Sequence, residues 1–179
     1  MTISFFILAK LSLAQEPGEF VVFLGPKNYE LGSIRPSADT NIYLQKNGII
    51  NENGRIQHIY HYKNLHLFPW QIGGVKFTDL LMFYESDKLT RIDITRSYVD
   101  SIEKFNDSLQ RADLSKVYDF ISTLSGRKGK KKTTIKGNFY KEKGYEWKKD
   151  DTVMQSKIYY GKIPASNRLL VITIKYKWY

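Results

Sequence analysis

The sequence predicts an α+β fold, in which antiparallel β-meanders of about six to eight strands carry a bent pair of helices on one face. Short apolar or alternating segments, separated by Gly, Pro, Asn and Asp, occur before residue 97 and again after residue 138. This pattern is typical of antiparallel strands joined by short turns. Between the two groups, residues 100–125 carry apolar side chains at helical spacing, which indicates the helices.

The first fourteen residues resemble an export signal. An apolar run from Ile3 to Leu13 ends in Ser12-Leu13-Ala14, and these small residues suit signal-peptidase cleavage before Gln15. We therefore expect residues 1–14 to be a signal peptide, residues 15–179 to form a single α+β domain, and the mature chain to be secreted or periplasmic. If the segment is instead retained as a strand or helix, the protein is cytoplasmic.

Composition excludes several classes of site. The chain has no cysteine, which excludes disulfides, thiolate zinc sites, iron–sulfur clusters, cysteine nucleophiles and a lipidated N-terminal cysteine. With 42% hydrophobic and 15% aromatic residues, the chain is too apolar to be disordered. Beyond residue 14 no apolar run is long enough for a membrane helix, so no transmembrane segment is predicted in the mature chain.

The strands of the first half are predicted from turn residues and alternation. Asn53-Gly54 is a good two-residue turn and predicts a hairpin between Ile49-Ile50 and Arg55–Tyr62. Before the hairpin we expect a strand over Phe20–Leu24, a loop over Gly25–Pro36 and a short helix over Ser37–Lys46. After it we expect an antiparallel meander, joined at Gly73-Gly74 and at residues 85–88, with strands at Leu65–Ile72, Lys76–Tyr84 and Leu89–Arg96.

The helical region has two apolar stripes that are out of phase. Asp100 and Glu103 resemble a capping box, followed by a stripe of Ile102, Phe105, Leu109 and Ala112. The spacing then resets by two residues to a second stripe of Leu114, Val117, Ile121 and Leu124. A straight helix would turn these stripes to different sides, so we expect a break near Ala112-Asp113 and a second helix that ends before Gly126.

Three further strands are predicted near Phe139–Lys148, Val153–Tyr160 and Leu169–Trp178. In the last of them, alternation places one set of side chains in the core, namely Leu170, Ile172, Ile174, Tyr176 and Trp178. The opposite set, Thr173, Lys175 and Lys177, is predicted to face water. This arrangement is typical of an antiparallel sheet with one covered face.

Positive charge is concentrated in one segment. Residues 127–149 contain ten basic residues against Glu142 and Glu146, a net charge of +8 out of +10 for the whole chain. Aromatic residues alternate with these charges, a pattern that suits an anionic partner or single-stranded nucleic acid. The candidate binding residues are Arg127, Lys128, Lys130, Lys131, Lys132, Lys136, Tyr140 and Trp147. We expect Lys130–Lys132 to form an exposed loop. The alternative is a solvated loop leading into an edge strand protected by lysines.

Catalytic and metal motifs are not found in the sequence. His58, His61 and His66 lie close together, but a strand would turn His58 and His61 to opposite faces, and no carboxylate lies between Arg55 and His66. No Gly-x-Ser-x-Gly elbow or Walker spacing occurs. We therefore predict no metal and no cofactor. The carboxylates Asp79, Glu85, Asp87 and Asp93 are expected to be solvated or paired with Lys76, Lys88 and Arg91.

The order of meander, helices and meander resembles a known group of proteins. Residues 80–92 and 157–172 both have the pattern strand, polar turn, strand. In this pattern, residues 55–179 resemble the small secreted α+β proteins of the β-lactamase inhibitor protein fold and the related small outer-membrane assembly lipoproteins. The chain departs from the lipoproteins because it has no cysteine to lipidate. The resemblance implies a binding scaffold rather than a catalyst.

Three functions remain open at this point. The first is a non-enzymatic exported binding module whose sheet face or basic segment engages a protein, a glycan or an anionic envelope surface. The second is a cytoplasmic nucleic-acid-binding protein that uses residues 127–149, which requires the N-terminal segment to be retained. The third is a hydrolase without a recognisable motif, because a fold can bring catalytic groups together without a sequence signature.

Overall fold

The computed structural model describes residues 22–24, 27–29, 31–35, 44–52, 54–62, 71–98, 107–136, 140–149, 151–161 and 169–177. Within these ranges the chain forms one helix, α1 (Asp107–Ser125), and twelve strands. The strands are β1 (Val22–Leu24), β2 (Lys27–Tyr29), β3 (Leu44–Glu52), β4 (Arg55–Tyr62), β5 (Gln71–Ile72), β6 (Val75–Lys76), β7 (Asp79–Glu85), β8 (Lys88–Ser97), β9 (Lys130–Lys136), β10 (Tyr140–Lys149), β11 (Thr152–Gly161) and β12 (Leu169–Tyr176).

Eight of the strands form one antiparallel sheet in the order β3-β4-β7-β8-β12-β11-β10-β9. The two ribbons β1-β2 and β5-β6 lie outside it. The sheet has two four-stranded halves that meet where β8 pairs with β12, with Ile94 opposite Ile172. From β8 in the centre, the chain passes through α1 to β9 at the far edge and then returns strand by strand to β12. The helix therefore connects the middle of the sheet to its basic edge.

The core lies between one face of the sheet and α1. Met82 on β7, Ile94 on β8 and Ile172 on β12 are at most 1% exposed, and they face the apolar stripe of the helix. That stripe is formed by Leu114, Val117 and Ile121, all buried. The helix packs on β10, β11 and β12 and also contacts β6. Alternation along the strands thus supplies one continuous apolar face, and α1 covers part of it.

The predicted α+β class with a bent helix pair is wrong. The described chain is mostly antiparallel sheet with a single helix, and α1 runs without a break through Ala112-Asp113. Leu109 is 39% exposed and Ala112 is exposed too, so the first apolar stripe is not the buried one. The buried face begins instead at Gln110 and Asp113, which are each 2% exposed. The part of the predicted helix pair that precedes residue 107 lies outside the described residues.

Polar side chains can occupy the buried face of α1 because each has partners from the sheet side. Gln110 Nε2 donates to the carbonyl oxygens of Tyr159, at 3.3 Å, and Leu169, at 3.0 Å. The hydroxyl of Tyr98 donates to Asp113 Oδ2 at 2.9 Å, and Arg96 Nη1 lies 3.3 Å from the same oxygen. These bonds offset the cost of burying an amide and a carboxylate. They also explain why the spacing of apolar residues in the sequence predicted the wrong buried face for the start of the helix.

Of the other predictions before and after the helix, most strands are confirmed and one helix is wrong. The hairpin at Asn53-Gly54 is confirmed, since β3 and β4 pair up to Glu52 opposite Arg55. Strands β1, β8, β10, β11 and β12 also lie where they were predicted. The helix over Ser37–Lys46 is wrong where it is described, because residues 44–46 belong to β3. Residues 1–14, 37–43 and 65–70 lie outside the described residues.

Three further predictions, about a loop, a turn and the exposure of the last strand, also need correction. Lys27–Tyr29 is a strand, although it lies within the predicted loop. Gly73-Gly74 closes the small ribbon β5-β6, so β4 pairs directly with β7. The side of β12 predicted to face water is covered at Thr173, which is only 6% exposed beside its cross-strand neighbour Asp93, whereas Lys177 is exposed as predicted. Long side chains on β8 account for this cover, since Arg91 donates to Asp93 at 2.9 Å and lies along this face.

A glycine in β10 controls how closely β10 and β11 approach. A Cβ atom on Gly144 would lie 1.9 Å from the carbonyl oxygen of Ser156 and 2.9 Å from Cα of Lys157. Both are backbone atoms of the paired strand, so they cannot move aside as a flexible side chain would. Only glycine therefore permits this pairing, which continues to the edge of the sheet through β9.

We predict that Gly144→Ala lowers the free energy of unfolding by about 1–3 kcal/mol or more, the cost of overpacking a close-packed site. The matched control is Gly48→Ala on edge strand β3, where an added Cβ meets nothing within 4 Å. Urea unfolding of both variants and wild type measures the difference. Equal unfolding midpoints for the two variants would show that β10 and β11 are not so closely apposed.

Candidate anion-binding pocket

A pocket of about 300 Å³ forms where the end of α1, the start of β9 and the end of β10 meet. We call it the basic pocket. It is lined by Arg127, Lys128, Lys130, Lys132, Glu146, Trp147 and Lys148. Five side chains of the lining are cationic and one is anionic, which gives a net charge of +4. Such a concentration of one sign of charge in a concave site attracts anions.

The end of α1 positions the first side chains of the basic pocket. Gly126 has a φ of +63°, which favours glycine, and its N–H donates to the carbonyl of Thr123 at 3.3 Å. The N–H of Arg127 donates to the carbonyl of Ser122 at 3.2 Å, which completes a Schellman motif. The predicted helix end before Gly126 is therefore confirmed. Arg127 Nη1 then donates to the carbonyl of Lys148 at 3.4 Å, so its guanidinium bridges the helix end and β10.

Trp147 lines the basic pocket from the helix side of β10. It is 3% exposed, and its indole Nε1 donates to Ser122 Oγ at 3.3 Å. Its ring centroid lies 5.7 Å from that of Tyr118 on the helix. A Cβ atom on Gly129 would lie 2.5 Å from Trp147 Cε2, so the chain can cross the indole only as glycine. Trp147 was predicted to be a binding residue; because it is buried, it supports the chain that carries the cations.

Glu146 is the anionic side chain of the basic pocket, and it is shared by two lysines. Its Oε1 lies 3.4 Å from Nζ of Lys132 and 3.4 Å from Nζ of Lys148, while Gln155 Nε2 donates to Oε2 at 2.8 Å. Burial alone would raise the pKa of Glu146, but the hydrogen bond from Gln155 and the charges of Lys132 and Lys148 outweigh burial and lower it. The carboxylate therefore stays ionised and orients two of the five cations.

The other two pocket lysines, Lys128 and Lys130, have no counter-charge among the described residues. Among the described residues, no carboxylate lies within ion-pair distance of Lys128, Lys130 or Lys131. Lys128 and Lys130 line the basic pocket and are exposed. Lys131 is opposite Tyr145 in the β9–β10 pairing, so it lies on the helix side of the sheet, and it does not line the pocket. Two free ammonium groups are thus available to a ligand within the pocket.

The structure divides the eight predicted binding residues into a group at the pocket, a distant pair, and Lys131, which does not line the pocket. Five of them meet at the basic pocket, namely Arg127, Lys128, Lys130, Lys132 and Trp147. Lys136 and Tyr140 are paired with each other at the opposite end of the β9–β10 hairpin, about 20 Å from Lys130 at the rise of a strand. The sequence did not single out Glu146 and Lys148 as pocket residues. Their spacing of two residues on one strand face was the available signal.

The predicted loop at Lys130–Lys132 is wrong, because these residues begin strand β9. Their predicted exposure is confirmed. The strand continues through Thr133 and Thr134, whose branched side chains favour extended backbone, and it pairs with β10 without a break in register. The edge strand named in the alternative is therefore present, but Lys130–Lys132 belong to it rather than to a loop ahead of it. The basic side chains consequently have fixed faces rather than variable directions.

The histidines and the hairpin carboxylates form separate pairs. His61 Nε2 lies 3.0 Å from Asp79 Oδ1, Arg35 Nε lies 2.9 Å from Asp87 Oδ1, and Arg91 pairs with Asp93. His58 is on the opposite face of β4 from His61, as predicted, and His66 lies outside the described residues. Across the described ranges, no three His, Cys, Asp or Glu side chains come close enough to hold a metal ion.

Comparison with known proteins gives no relative for this chain. No protein-family model, no curated protein and no solved structure matches it. The resemblance to the β-lactamase inhibitor protein fold and the small lipoproteins therefore stays a prediction. In the part of the chain that the structure describes, no helix has the length and apolarity needed to cross a membrane.

We predict that Glu146→Gln lowers the free energy of unfolding at neutral pH by about 1.5–3 kcal/mol, the range for hydrogen bonds to charged groups. The pKa of Glu146 is lower in the folded state, so its contribution is present above the unfolded pKa of about 4.3 and is lost as pH falls through the folded pKa. Wild type and variant should converge below that pH in urea unfolding. Asp119→Asn, an exposed change on α1, should show no such convergence. A constant difference between wild type and Glu146→Gln down to pH 2 would contradict the role of Glu146.

Proposed function

We propose that this chain is a non-enzymatic exported binding module that engages an anionic partner, a protein, glycan or envelope surface, through the basic pocket. The observation that carries the proposal is the charge balance of the pocket. Its five cations face one carboxylate, and Lys132 and Lys148 already share that carboxylate. Clustering like charges in this way destabilises a folded chain unless a ligand offsets it.

The shape of the basic pocket favours a single anionic group. Arg127 donates a hydrogen bond to the backbone of β10, and the buried Trp147 supports the chain beside the pocket. The free ammonium groups of Lys128 and Lys130 can donate charge-assisted hydrogen bonds to a carboxylate, sulfate or phosphate. A volume of about 300 Å³ is at the lower end for small-molecule sites, so it suits one charged group of a larger partner.

The two alternative functions have less support. Sequence-independent binding of single-stranded nucleic acid uses exposed aromatic side chains as stacking platforms. Trp147 is buried and Tyr145 packs on Tyr118 at 4.3 Å between ring centroids, so neither is available for this purpose. For a hydrolase, the pocket lining offers no serine or histidine, and its carboxylate is held by two lysines. Export rests on the sequence of residues 1–14 and is tested by the mature N-terminus, which should be Gln15.

We predict that Lys128→Gln/Lys130→Gln weakens binding to a heparin oligosaccharide or to phosphatidylglycerol vesicles by about 3- to 30-fold, the equivalent of two exposed charge pairs. The loss should shrink as salt rises, because screening acts within about 8–10 Å at physiological ionic strength. Kd is measured by titration at two salt concentrations. The matched control is Lys46→Gln/Lys88→Gln, which changes the net charge equally at exposed positions outside the pocket.

Equal losses in the two double variants would show that binding depends on overall charge rather than on the basic pocket. An oligo(dT) strand serves as the third probe. Tighter binding of oligo(dT) than of heparin, lost in Lys128→Gln/Lys130→Gln, would favour the nucleic-acid alternative instead.

A further inference from the structure

Among the described strands, the one that carries the pocket lysines lies at an edge of the sheet. In the described part of the chain, β9 pairs with β10 alone, through seven successive pairs from Lys130 opposite Glu146 to Lys136 opposite Tyr140. The pairing has no bulge, and the strand contains no proline. An edge of this kind presents a row of backbone N–H and C=O groups to a further strand.

The charge of β9 decides which strand can pair with it. Lys130 and Lys132 lie on the face of Glu146, Lys131 lies on the other face, and all three are exposed. A second copy of β9 would bring its own four lysines to the same edge, and the repulsion between like charges disfavours self-association. An extended segment rich in Asp or Glu would instead place opposite charges across the new pair, which stabilises a sheet. The edge thus disfavours its own copy and suits an acidic strand.

The opposite edge of the sheet is protected in a different way. Strand β3 has a break in register between Lys46 and Gly48, and such a bulge disrupts the regular edge that a partner needs. Its described exposed residues include polar Gln45, Asn47 and Asn51 and only one cation, Lys46. Strand β9, in contrast, has four lysines and no bulge. Positive charge is therefore concentrated at one of the two edges.

The basic pocket lies in line with the edge. Strand β9 begins at Lys130, which lines the pocket together with Lys128 and Arg127 just before it in the chain. We propose that the anionic partner is an extended acidic peptide segment that adds to β9 as a ninth strand and places a carboxylate in the basic pocket. This rests on the proposed function and names its ligand class. Backbone hydrogen bonds would supply affinity, while Lys130 and Lys132 select acidic side chains.

The probe is an eight-residue acetylated and amidated peptide, Glu-Thr-Glu-Val-Glu-Thr-Glu-Val, long enough to cover the seven residues of β9. Two derivatives carry backbone N-methyl groups. In the first, the backbone nitrogen of every Glu is methylated; in the second, the backbone nitrogen of every Thr and Val is methylated. Alternate N–H groups of a strand point toward the same neighbour. We therefore expect one derivative to lose about tenfold or more in affinity for the full chain, and the other to bind like the parent peptide.

The outcomes separate this inference from the proposed function. If both derivatives bind like the parent, and Lys128→Gln/Lys130→Gln weakens all three, the pocket binds anions without strand addition and the inference is overturned. If heparin binds through the pocket but the parent peptide does not, the inference is likewise overturned. If neither binds, the proposed function fails as well.

Amide hydrogen exchange provides a second readout on the protein itself. With the parent peptide bound, alternate residues of 130–136 should exchange more slowly, because their N–H groups gain partners. The residues of β3 at the opposite edge are the internal control and should be unaffected. Unchanged exchange in β9 at saturating peptide would overturn the inference whatever the N-methylated peptides do.

Discussion

The contact between Trp147 and Gly129 holds together the elements that form the basic pocket. The indole is fixed from below by Ser122 and Tyr118 of the helix, and the chain crosses above it at a distance that excludes a Cβ atom. The end of α1, the start of β9 and the end of β10 all meet at this ring. The Schellman motif at Gly126 then directs Arg127 and Lys128 to one side of the pocket, while β9 carries Lys130 and Lys132 to another.

Two carboxylates show how differently charge is used in the two parts of the molecule. Asp113 is 2% exposed, and it is surrounded by a hydroxyl from Tyr98 and cations from Arg96 and Lys116. The negative charge of Asp113 is compensated by these cations, and the cluster joins the helix to the sheet. Glu146 in the basic pocket is one carboxylate among five cations. The first arrangement suits stability, whereas the second leaves an attraction that a ligand can satisfy.

The parts of the fold that depend on local sequence could be predicted, and those that depend on distant partners could not. Strands β10, β11 and β12 follow from alternation, and the β3–β4 hairpin follows from Asn53-Gly54. The continuous helix could not be predicted, because Gln110 and Asp113 are buried only through bonds to residues about 15 to 60 positions away in the chain. Likewise, charge counting located the basic segment but not the burial of Trp147, which depends on packing against α1.

The most direct test of the account is an NMR titration of the ¹⁵N-labelled chain with a heparin oligosaccharide. If the basic pocket binds anions, the amide signals of Lys128, Gly129 and Lys130 and the indole signal of Trp147 should shift together and saturate at one affinity. The amides of Lys46 and Lys88, which are exposed lysines elsewhere, should remain in place. Shifts of equal size at all exposed lysines, or no shift at the Trp147 indole, would contradict the central claim that the basic pocket is a binding site for anions.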